Sequence, residues 1–369
     1  MDLNIYKVIT LYIYILMEDI SLILPCAGKS SRFTGKPKWL KKCPNNNLMI
    51  QECIKGLDLI NVKNIYMCFL KEHIDNFCKN FNLKEMFNFT KKNIHILILE
   101  DNTNSQSESI YKIIEHFNLS GPIFIKDCDN YFKFLINKGN YICSLYINNQ
   151  NTVNELHNKS FIETNSVNEI INICEKQIIS NKICVGGYSF EDANVFKNFF
   201  NKCVNVVNIN QGELYISHII HTLLLNNYIF YEKNVTNYID WGTQKEWNNY
   251  LSSFKKLFIN LDGLLFYNSS ENMLLNNNEL KPIKENIDKL KNLYKKKKTE
   301  IIITTSRKEE SKKSTIELLK KYNIPYDNII FNLFNSKRYI INNYSDNNLY
   351  PSAIAINIKN NSNNLKDFI

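Results

Sequence analysis

Short apolar runs alternate with amphipathic segments over the first part of the chain. Runs rich in β-branched and aromatic residues predict strands at ISLILP (20–25), NIYMCFL (64–70), NIHILIL (93–99), PIFIKD (122–127) and YICSLYI (141–147). Segments with helical spacing of apolar residues predict helices at 48–57, 72–81 and 107–117. This alternation predicts an α/β fold, in which helices cover both faces of a mostly parallel, Rossmann-like sheet.

A second and smaller series of the same kind begins near residue 253. Strand patterns occur at 256–266 and 300–307, and helix patterns occur at 283–297 and 314–325. YPSAIAINI (350–358) predicts one more strand at the end. We therefore expect an N-terminal extension over 1–19, a first α/β domain over 20–252 and a second α/β domain over 253–369.

Composition and charge narrow the possible functions. The chain has 369 residues, which suits two domains, and a net charge of +9. Aromatic and basic residues are not interleaved as in nucleic-acid-binding modules, so the charge favours small anionic ligands. The ten cysteines form no C-x-x-C pair, and no histidine spacing matches a zinc motif. These features predict reduced thiols and a cytoplasmic protein.

The N-terminal apolar run at 6–17 predicts neither a membrane span nor a cleaved signal. It is shorter than the hydrocarbon core of a bilayer requires. Glu18 and Asp19 follow it, where a signal peptide has small residues at its cleavage site. We expect no membrane partner.

A strongly basic, glycine-containing loop follows the first predicted strand. Gly28 and Gly35 allow the backbone to approach a ligand closely. Four cations surround them: Lys29, Arg32, Lys36 and Lys38. Ligand sites in α/β sheets lie at the carboxyl ends of the strands, so this loop predicts a phosphate-binding site. Its spacing matches neither the P-loop nor the dinucleotide-binding pattern.

Two carboxylates follow the predicted strand at 122–127. Asp127 and Asp129 in FIKDCDNYF (124–132) are one residue apart, so on an extended strand both would face the same way. Carboxylate oxygens are suitable ligands for Mg²⁺ when phosphates supply the others. This stretch therefore predicts a magnesium site.

The basic loop, LPCAGKSSRFTGKPKWL (24–40), resembles the signature loop of the sugar-phosphate nucleotidyltransferases. The resemblance implies a Rossmann-like nucleotidyltransferase domain of the GT-A type. It implies that Arg32 holds the leaving pyrophosphate and that Lys38 stabilises the transferred phosphoryl group. It also implies a nucleotide-binding set: Ala27, Gly28, Lys29, Ser30 and, in TNSQSES (103–109), Gln106 at the base. Lys29 departs from the family, since many members have Gly or Met there.

Further segments match the same family in order over about residues 20–250. The resemblance favours Asp129 as one magnesium ligand, with Asp127 possible, and Asp240 in YIDWGTQKEW (238–247) as the second. It implies that three residues lie near the acceptor: Glu175 and Lys176 in CEKQ (174–177), and Gly187 in VGGYSF (185–190).

The second domain resembles the haloacid-dehalogenase-like (HAD-like) phosphatases over about residues 256–345. FINLDGLLF (258–266) resembles their first motif, with Asp262 and Gly263 retained, Asn260 in place of the nucleophilic aspartate and Leu264 in place of threonine. IIITTSR (301–307) resembles the second motif, Lys337 matches a motif lysine, and 342–343 is Asn-Asn where an acidic pair is expected. Asparagine cannot form a phospho-aspartyl intermediate, so the resemblance implies a structural or regulatory domain.

The leading hypothesis is a Mg²⁺-dependent nucleotidyltransferase. Its partners would be a nucleoside triphosphate and a sugar phosphate or another small phosphorylated acceptor, such as an aminoalcohol phosphate. The sequence leaves open whether the chain forms a homo-oligomer. One alternative is a GT-A glycosyltransferase that uses Asp127-Cys128-Asp129 as its D-x-D metal motif. Another is a non-catalytic nucleotide-binding protein.

Overall fold

The computed structural model describes residues 19–28, 33, 35–79, 82–148, 155–209, 213–268, 280–343 and 353–369. The chain divides into two compact units, Met1–Trp247 and Asn248–Ile369. Within the described ranges, no helix has the length and apolar character needed to cross a bilayer.

The first unit contains twelve described strands and six described helices. The strands are β1 (Ile20–Pro25), β2 (Leu57–Asp58), β3 (Val62–Leu70), β4 (Asn93–Leu99), β5 (Ile123–Lys126), β6 (Asn130–Leu135), β7 (Tyr141–Tyr146), β8 (Ser160–Thr164), β9 (Ile170–Glu175), β10 (Lys182–Phe190), β11 (Tyr231–Asn234) and β12 (Thr236–Asp240). The helices are α1 (Met49–Ile54), α2 (Lys71–Phe77), α3 (Gln106–His116), α4 (Ala193–Ile209), α5 (Ile216–Leu225) and α6 (Gln244–Ser252), within which the division between the units falls.

Nine of these strands form one large sheet in the order β11-β7-β10-β5-β1-β3-β4, with β8 beside β10 and β9 beside β8. Strands β4, β3, β1 and β5 are parallel, and β10 runs antiparallel between β5 and β7. The expected α/β fold with a mostly parallel sheet is therefore confirmed. Strand β1 is buried along its whole length, which explains its unbroken apolar sequence.

Helices α3, α4 and α5 bury apolar stripes in the main core of this unit. The stripes repeat at helical spacing: Ile110, Ile113 and Ile114; Phe196, Phe199 and Phe200; Ile216, Ile219, Ile220 and Leu223. Ser105 caps α3, since its Oγ accepts a hydrogen bond from the Glu108 amide at 3.1 Å. The cap makes Gln106 the first residue of the helix.

The helix predicted over 48–57 is shorter than expected. It ends at Ile54, and β2 begins at Leu57. Between Ile54 and Leu57 the chain passes very close to β6. A Cβ added to Gly56 would lie only 2.0 Å from the Phe132 carbonyl oxygen. Glycine therefore permits the helix to end and a new strand pair to begin there.

A second, three-stranded sheet has the order β12-β6-β2, and Asp240 is the last residue of β12. The expectation that Asp127 and Asp129 lie on an extended strand was wrong. Strand β5 ends at Lys126 and β6 starts at Asn130, so the two carboxylates occupy the turn between them. A turn gives successive side chains different directions, and each carboxylate has different partners.

The second unit contains β13 (Lys255–Asn260), β14 (Thr299–Thr304) and β15 (Asn328–Ile330), which form a parallel three-stranded sheet. Helices α7 (Lys284–Lys295) and α8 (Lys312–Lys321) contribute its core together with the strands: Ile259, Ile287, Leu290, Ile301, Ile303, Leu318 and Leu319. This is a small α/β unit.

The strand predicted at 350–358 is not observed. Residues 353–358 are not in a strand, and 350–352 lie outside the described residues. Ile354 and Ile356 are exposed, so the alternating apolar residues of this segment do not pack into a sheet. A strand requires a hydrogen-bonded neighbour, and no described strand pairs with this segment.

Candidate active site

A cleft of about 180 Å³ opens in the first unit beside the turn between β5 and β6. Asp127 and Asp129 line it from this turn, Gln106 lines it from the start of α3, and Asp240 lines it from the end of β12. The turn after β5 and the start of α3 after β4 lie at the same edge because β4, β3, β1 and β5 are parallel.

Asp127 is fixed by contacts with α3 and β10. The Gln106 Nε2 donates a hydrogen bond to Asp127 Oδ1 at 2.6 Å, and the Asp127 amide donates to the Gly186 carbonyl at 2.8 Å. Gly186 has φ +75°, and a Cβ there would lie 2.2 Å from Asp127 Oδ2. Burial, followed by the charge of Asp129, raises the pKa of Asp127 to about 6.

Lys126 holds the same turn from inside the protein. This lysine is fully buried, and its ammonium donates to the Asp127 carbonyl at 2.7 Å, the Asn130 carbonyl at 3.0 Å and Asn130 Oδ1 at 2.5 Å. It also lies 4.5 Å from the centroid of the Phe132 ring. Lys126 was not among the predicted site residues, although a lysine inside an apolar strand just before two aspartates indicates a buried cation that holds them.

Asp129 faces the basic loop. Lys38 Nζ lies 2.6 Å from Asp129 Oδ2, and both side chains are mostly buried. Lys38 starts a 3₁₀ turn, Lys38–Leu40, in which Trp39 is fully buried with its ring 4.4 Å from that of Phe69. Packing of the tryptophan thus positions the lysine that precedes it.

Asp240 reaches the same cleft through strand pairing. Strand β12 runs antiparallel to β6, with Asp240 opposite Asn130, and the Trp241 amide donates to the Asp129 carbonyl at 2.9 Å. Asp240 Oδ2 forms an ion pair with Lys159, and its Oδ1 accepts from the Gly242 amide at 3.0 Å. Lys159, which also lines the cleft, is a residue that the sequence analysis missed, and no motif marks it.

The carboxylates at this site fit a magnesium ion that takes most of its ligands from phosphate. Within the part of the chain that the structure describes, no group of three or more His, Cys, Asp or Glu side chains could hold a metal ion. Asp129 and Asp240 each hold a lysine ammonium, which shows that both positions attract a cation. Mg²⁺ commonly takes one or two protein carboxylates and completes its octahedron with water and phosphate oxygens.

The three expected acceptor residues take different places. Glu175 lines the cleft. Lys176 is exposed and does not line it; its Nζ donates to the Tyr215 hydroxyl at 2.5 Å. Gly187 does not line the cleft either, because it packs behind the site, where a Cβ would lie 2.9 Å from Cys143 and from Phe132. The neighbouring Gly186 lines the cleft instead.

The nucleotide-loop residues are described in part. Ala27 is buried after the end of β1, and Gly28 is exposed, with no atom within 4 Å of where a Cβ would stand. Three of the expected residues, Lys29, Ser30 and Arg32, lie outside the described residues.

No protein-family model and no curated protein matches the sequence. Solved structures do match. A nucleoside-diphosphate-sugar pyrophosphorylase from Vibrio cholerae RC9 has TM-score 0.54 and 16% identity, over 63% of this chain and 99% of that chain. A protein from Bacillus anthracis, provisionally named a glucose-1-phosphate thymidylyltransferase, has TM-score 0.51 and 16% identity, over 63% of this chain and 94% of that chain. At these identities the similarity shows a shared fold.

Proposed function

We propose that the first unit is a Mg²⁺-dependent nucleotidyltransferase. It would transfer a nucleoside monophosphate from a nucleoside triphosphate to a small phosphorylated acceptor and release pyrophosphate. The observation that supports this most is the convergence of Asp129 and Asp240, each paired with a lysine, at the edge of the sheet beside the basic loop. The fold shared with the two solved structures agrees with the proposal.

The reaction needs positioning and charge neutralisation more than proton transfer. An oxygen of the acceptor phosphate forms a bond to the α-phosphorus, the bond from that phosphorus to the bridging oxygen of the β-phosphate breaks, and pyrophosphate leaves with the electron pair. The attacking oxygen is already ionised, so no general base is required. Lys38, and Arg32 as the sequence implies, would stabilise the charge that builds up on the transferred and leaving groups.

Asp129 and Asp240 would hold the metal, with Asp127 as a further candidate. Bound Mg²⁺ supplies charge neutralisation for the triphosphate and holds its oxygens in one orientation. Lys38 and Lys159 would then move from their carboxylates to phosphate oxygens, because both are ammonium groups on flexible stems. Gln106 would present its amide to the base or would continue to orient Asp127.

Pyrophosphate release tests the proposal directly. The full chain would be offered CTP, UTP, dTTP, GTP or ATP with Mg²⁺, in combination with sugar 1-phosphates and aminoalcohol phosphates. We expect release with one combination, a loss of at least about 100-fold in kcat/KM for Asp129→Asn, and little change for the exposed Asp101→Asn. Transfer of a sugar from a nucleotide-sugar without pyrophosphate would assign the glycosyltransferase activity instead. Nucleotide binding without turnover would indicate a non-catalytic protein.

We further propose that the second unit is a HAD-like domain without phosphatase activity. Asn260, at the end of β13, accepts a hydrogen bond from Thr304 at 3.2 Å, where a phosphatase would have its nucleophilic aspartate. Asp262 is held by the buried Arg307, whose Nη2 lies 2.6 Å from Oδ1 and whose Nε lies 3.0 Å from Oδ2. A carboxylate in such a bidentate pair is not available to a substrate or to a metal. Hydrolysis of p-nitrophenyl phosphate above the level of Asp262→Asn would contradict this proposal.

A further inference from the structure

The lining of the cleft is negative although the chain is positive. Six carboxylates line it, against one lysine, Lys159, whereas the net charge of the chain is +9. The six are Asp127, Asp129, Glu155, Glu175, Asp240 and Glu246. Among the described residues, Lys38 pairs with Asp129 and Lys159 pairs with Asp240, and the other four carboxylates form no ion pair. An acceptor phosphate that enters this cleft meets excess negative charge, which favours an acceptor that also carries a positive charge.

Glu175 is the carboxylate best placed to receive that charge. Its Oε2 accepts hydrogen bonds from the hydroxyls of Ser160 and of Ser217, the latter at 2.7 Å. Among the described residues, none donates to its Oε1 and no basic side chain forms an ion pair with it. The adjacent Lys176 turns away, with its Nζ on the Tyr215 hydroxyl and 4.5 Å from the centroid of the Tyr215 ring.

Tyr188 gives an independent indication of a ligand in the same cleft. Its side chain is 7% exposed and lines the cleft, and its hydroxyl forms no hydrogen bond with any residue that the structure describes. Burial, followed by Cys184, Asp127 and Glu175, raises the pKa of this hydroxyl well above its usual value. A buried tyrosine in a cleft lined by carboxylates offers an aromatic face and a hydroxyl lone pair, both of which attract a cation.

We propose that the phosphorylated acceptor carries an ammonium group that binds in this cleft, with Glu175 and Tyr188 as its partners. This inference rests on the proposed nucleotidyl transfer and narrows its acceptor to aminoalcohol-type phosphates. A sugar 1-phosphate would bring no positive charge to Glu175. Tyr215 shows that an aromatic ring in this wall accepts an ammonium, since Lys176 already lies over it.

A pair of acceptors that differ only in charge isolates the effect. Choline phosphate has a trimethylammonium group, and 3,3-dimethylbutyl phosphate has the same shape with carbon in place of nitrogen. Each would be offered to the full chain with Mg²⁺ and the five nucleoside triphosphates. Ethanolamine phosphate and glucose 1-phosphate would be measured beside them. We expect kcat/KM for one or both of the ammonium acceptors to exceed that of the neutral acceptors at least tenfold.

Two matched variants locate the effect within the cleft. Glu175→Gln should reduce the preference for choline phosphate over its neutral analogue to less than threefold. Glu163→Gln should retain it, because Glu163 is on the paired strand β8, hydrogen-bonds to Asn172 at 3.1 Å and does not line the cleft. If Glu175→Gln does not fold, the ratio measured on the wild-type chain still decides the inference.

Failure of this inference differs from failure of the proposed function. Pyrophosphate release with neutral acceptors at an equal or higher kcat/KM would overturn the inference and leave nucleotidyl transfer intact. Without turnover, calorimetry with choline phosphate and its neutral analogue provides the second measurement. Preferred binding of choline phosphate that is lost in Glu175→Gln would support the ammonium site alone. Equal binding of the two, or binding of neither, would overturn it.

Discussion

Replacing Gly186 by alanine tests whether a close approach of β10 to Asp127 positions the turn between β5 and β6. The added Cβ would lie 2.2 Å from Asp127 Oδ2 and 2.8 Å from Asn130 Nδ2, so the turn between β5 and β6 must shift. Gly121→Ala is the matched control, because Gly121 has nearly the same φ, +73° against +75°, but nothing within 4 Å of its added Cβ.

The expected cost is the sum of a backbone term and a packing term. A left-handed conformation costs an L-residue about 1–2 kcal/mol, and the reduced freedom of the unfolded chain returns about 0.4–1 kcal/mol. Gly121→Ala should therefore lower the free energy of unfolding by about 0–1.6 kcal/mol. Gly186→Ala adds overpacking of about 1–3 kcal/mol, giving about 1–4.6 kcal/mol in total.

Urea unfolding of the two variants measures this difference, and pyrophosphate release measures its consequence. Displacing a reacting group by about 1 Å can reduce the rate about 100-fold, so Gly186→Ala should lose at least that factor in kcat while Gly121→Ala stays close to the wild type. If the free energies of unfolding of the two variants agree within about 0.5 kcal/mol, the contact with Asp127 does not constrain the turn, and the reasoning is refuted.

Three further variants test other parts of the structure. Lys126→Met removes the buried ammonium from three acceptor oxygens and should destabilise the protein by about 3–5 kcal/mol, whereas the exposed Lys133→Met on the following strand, β6, should be nearly neutral, as urea unfolding would report. The pKa of Asp127 is raised from 3.8 to about 6, so this carboxyl favours folding at low pH and loses that contribution as the pH rises through about 6. In EDTA, the free energy of unfolding of Asp127→Asn should therefore rise relative to that of the wild type between pH 4 and pH 7, by up to about 3 kcal/mol. A difference between the two free energies that does not change with pH would contradict this. Arg307→Met should destabilise the second unit by about 3 kcal/mol or more, because it leaves the Asp262 carboxylate without its bidentate partner, and thermal unfolding should show an earlier transition.

Local sequence patterns were sufficient for most of the elements. Strand β1 and strand β4 have the bounds that their apolar runs predict, and α3 begins one residue before its predicted start, where Ser105 caps it. These features depend on residues within one or two turns of each other, so periodicity and capping chemistry encode them. The same local reasoning was wrong for 350–358, where alternation occurs without a neighbouring strand.

The sequence by itself determined which chemical groups are available: the basic loop, the pair Asp127 and Asp129, and Asp240. Only the tertiary structure decided how they meet, through the β12-β6 pairing that brings Asp240 to Asn130 and through the order of the large sheet, which brings β10 to Asp127. That order also decides that Gly186 lines the cleft while Gly187 packs behind it, and it places Lys159 on Asp240. These contacts join segments far apart in the chain, and strand order depends on how all the apolar faces are buried together, which no local pattern records.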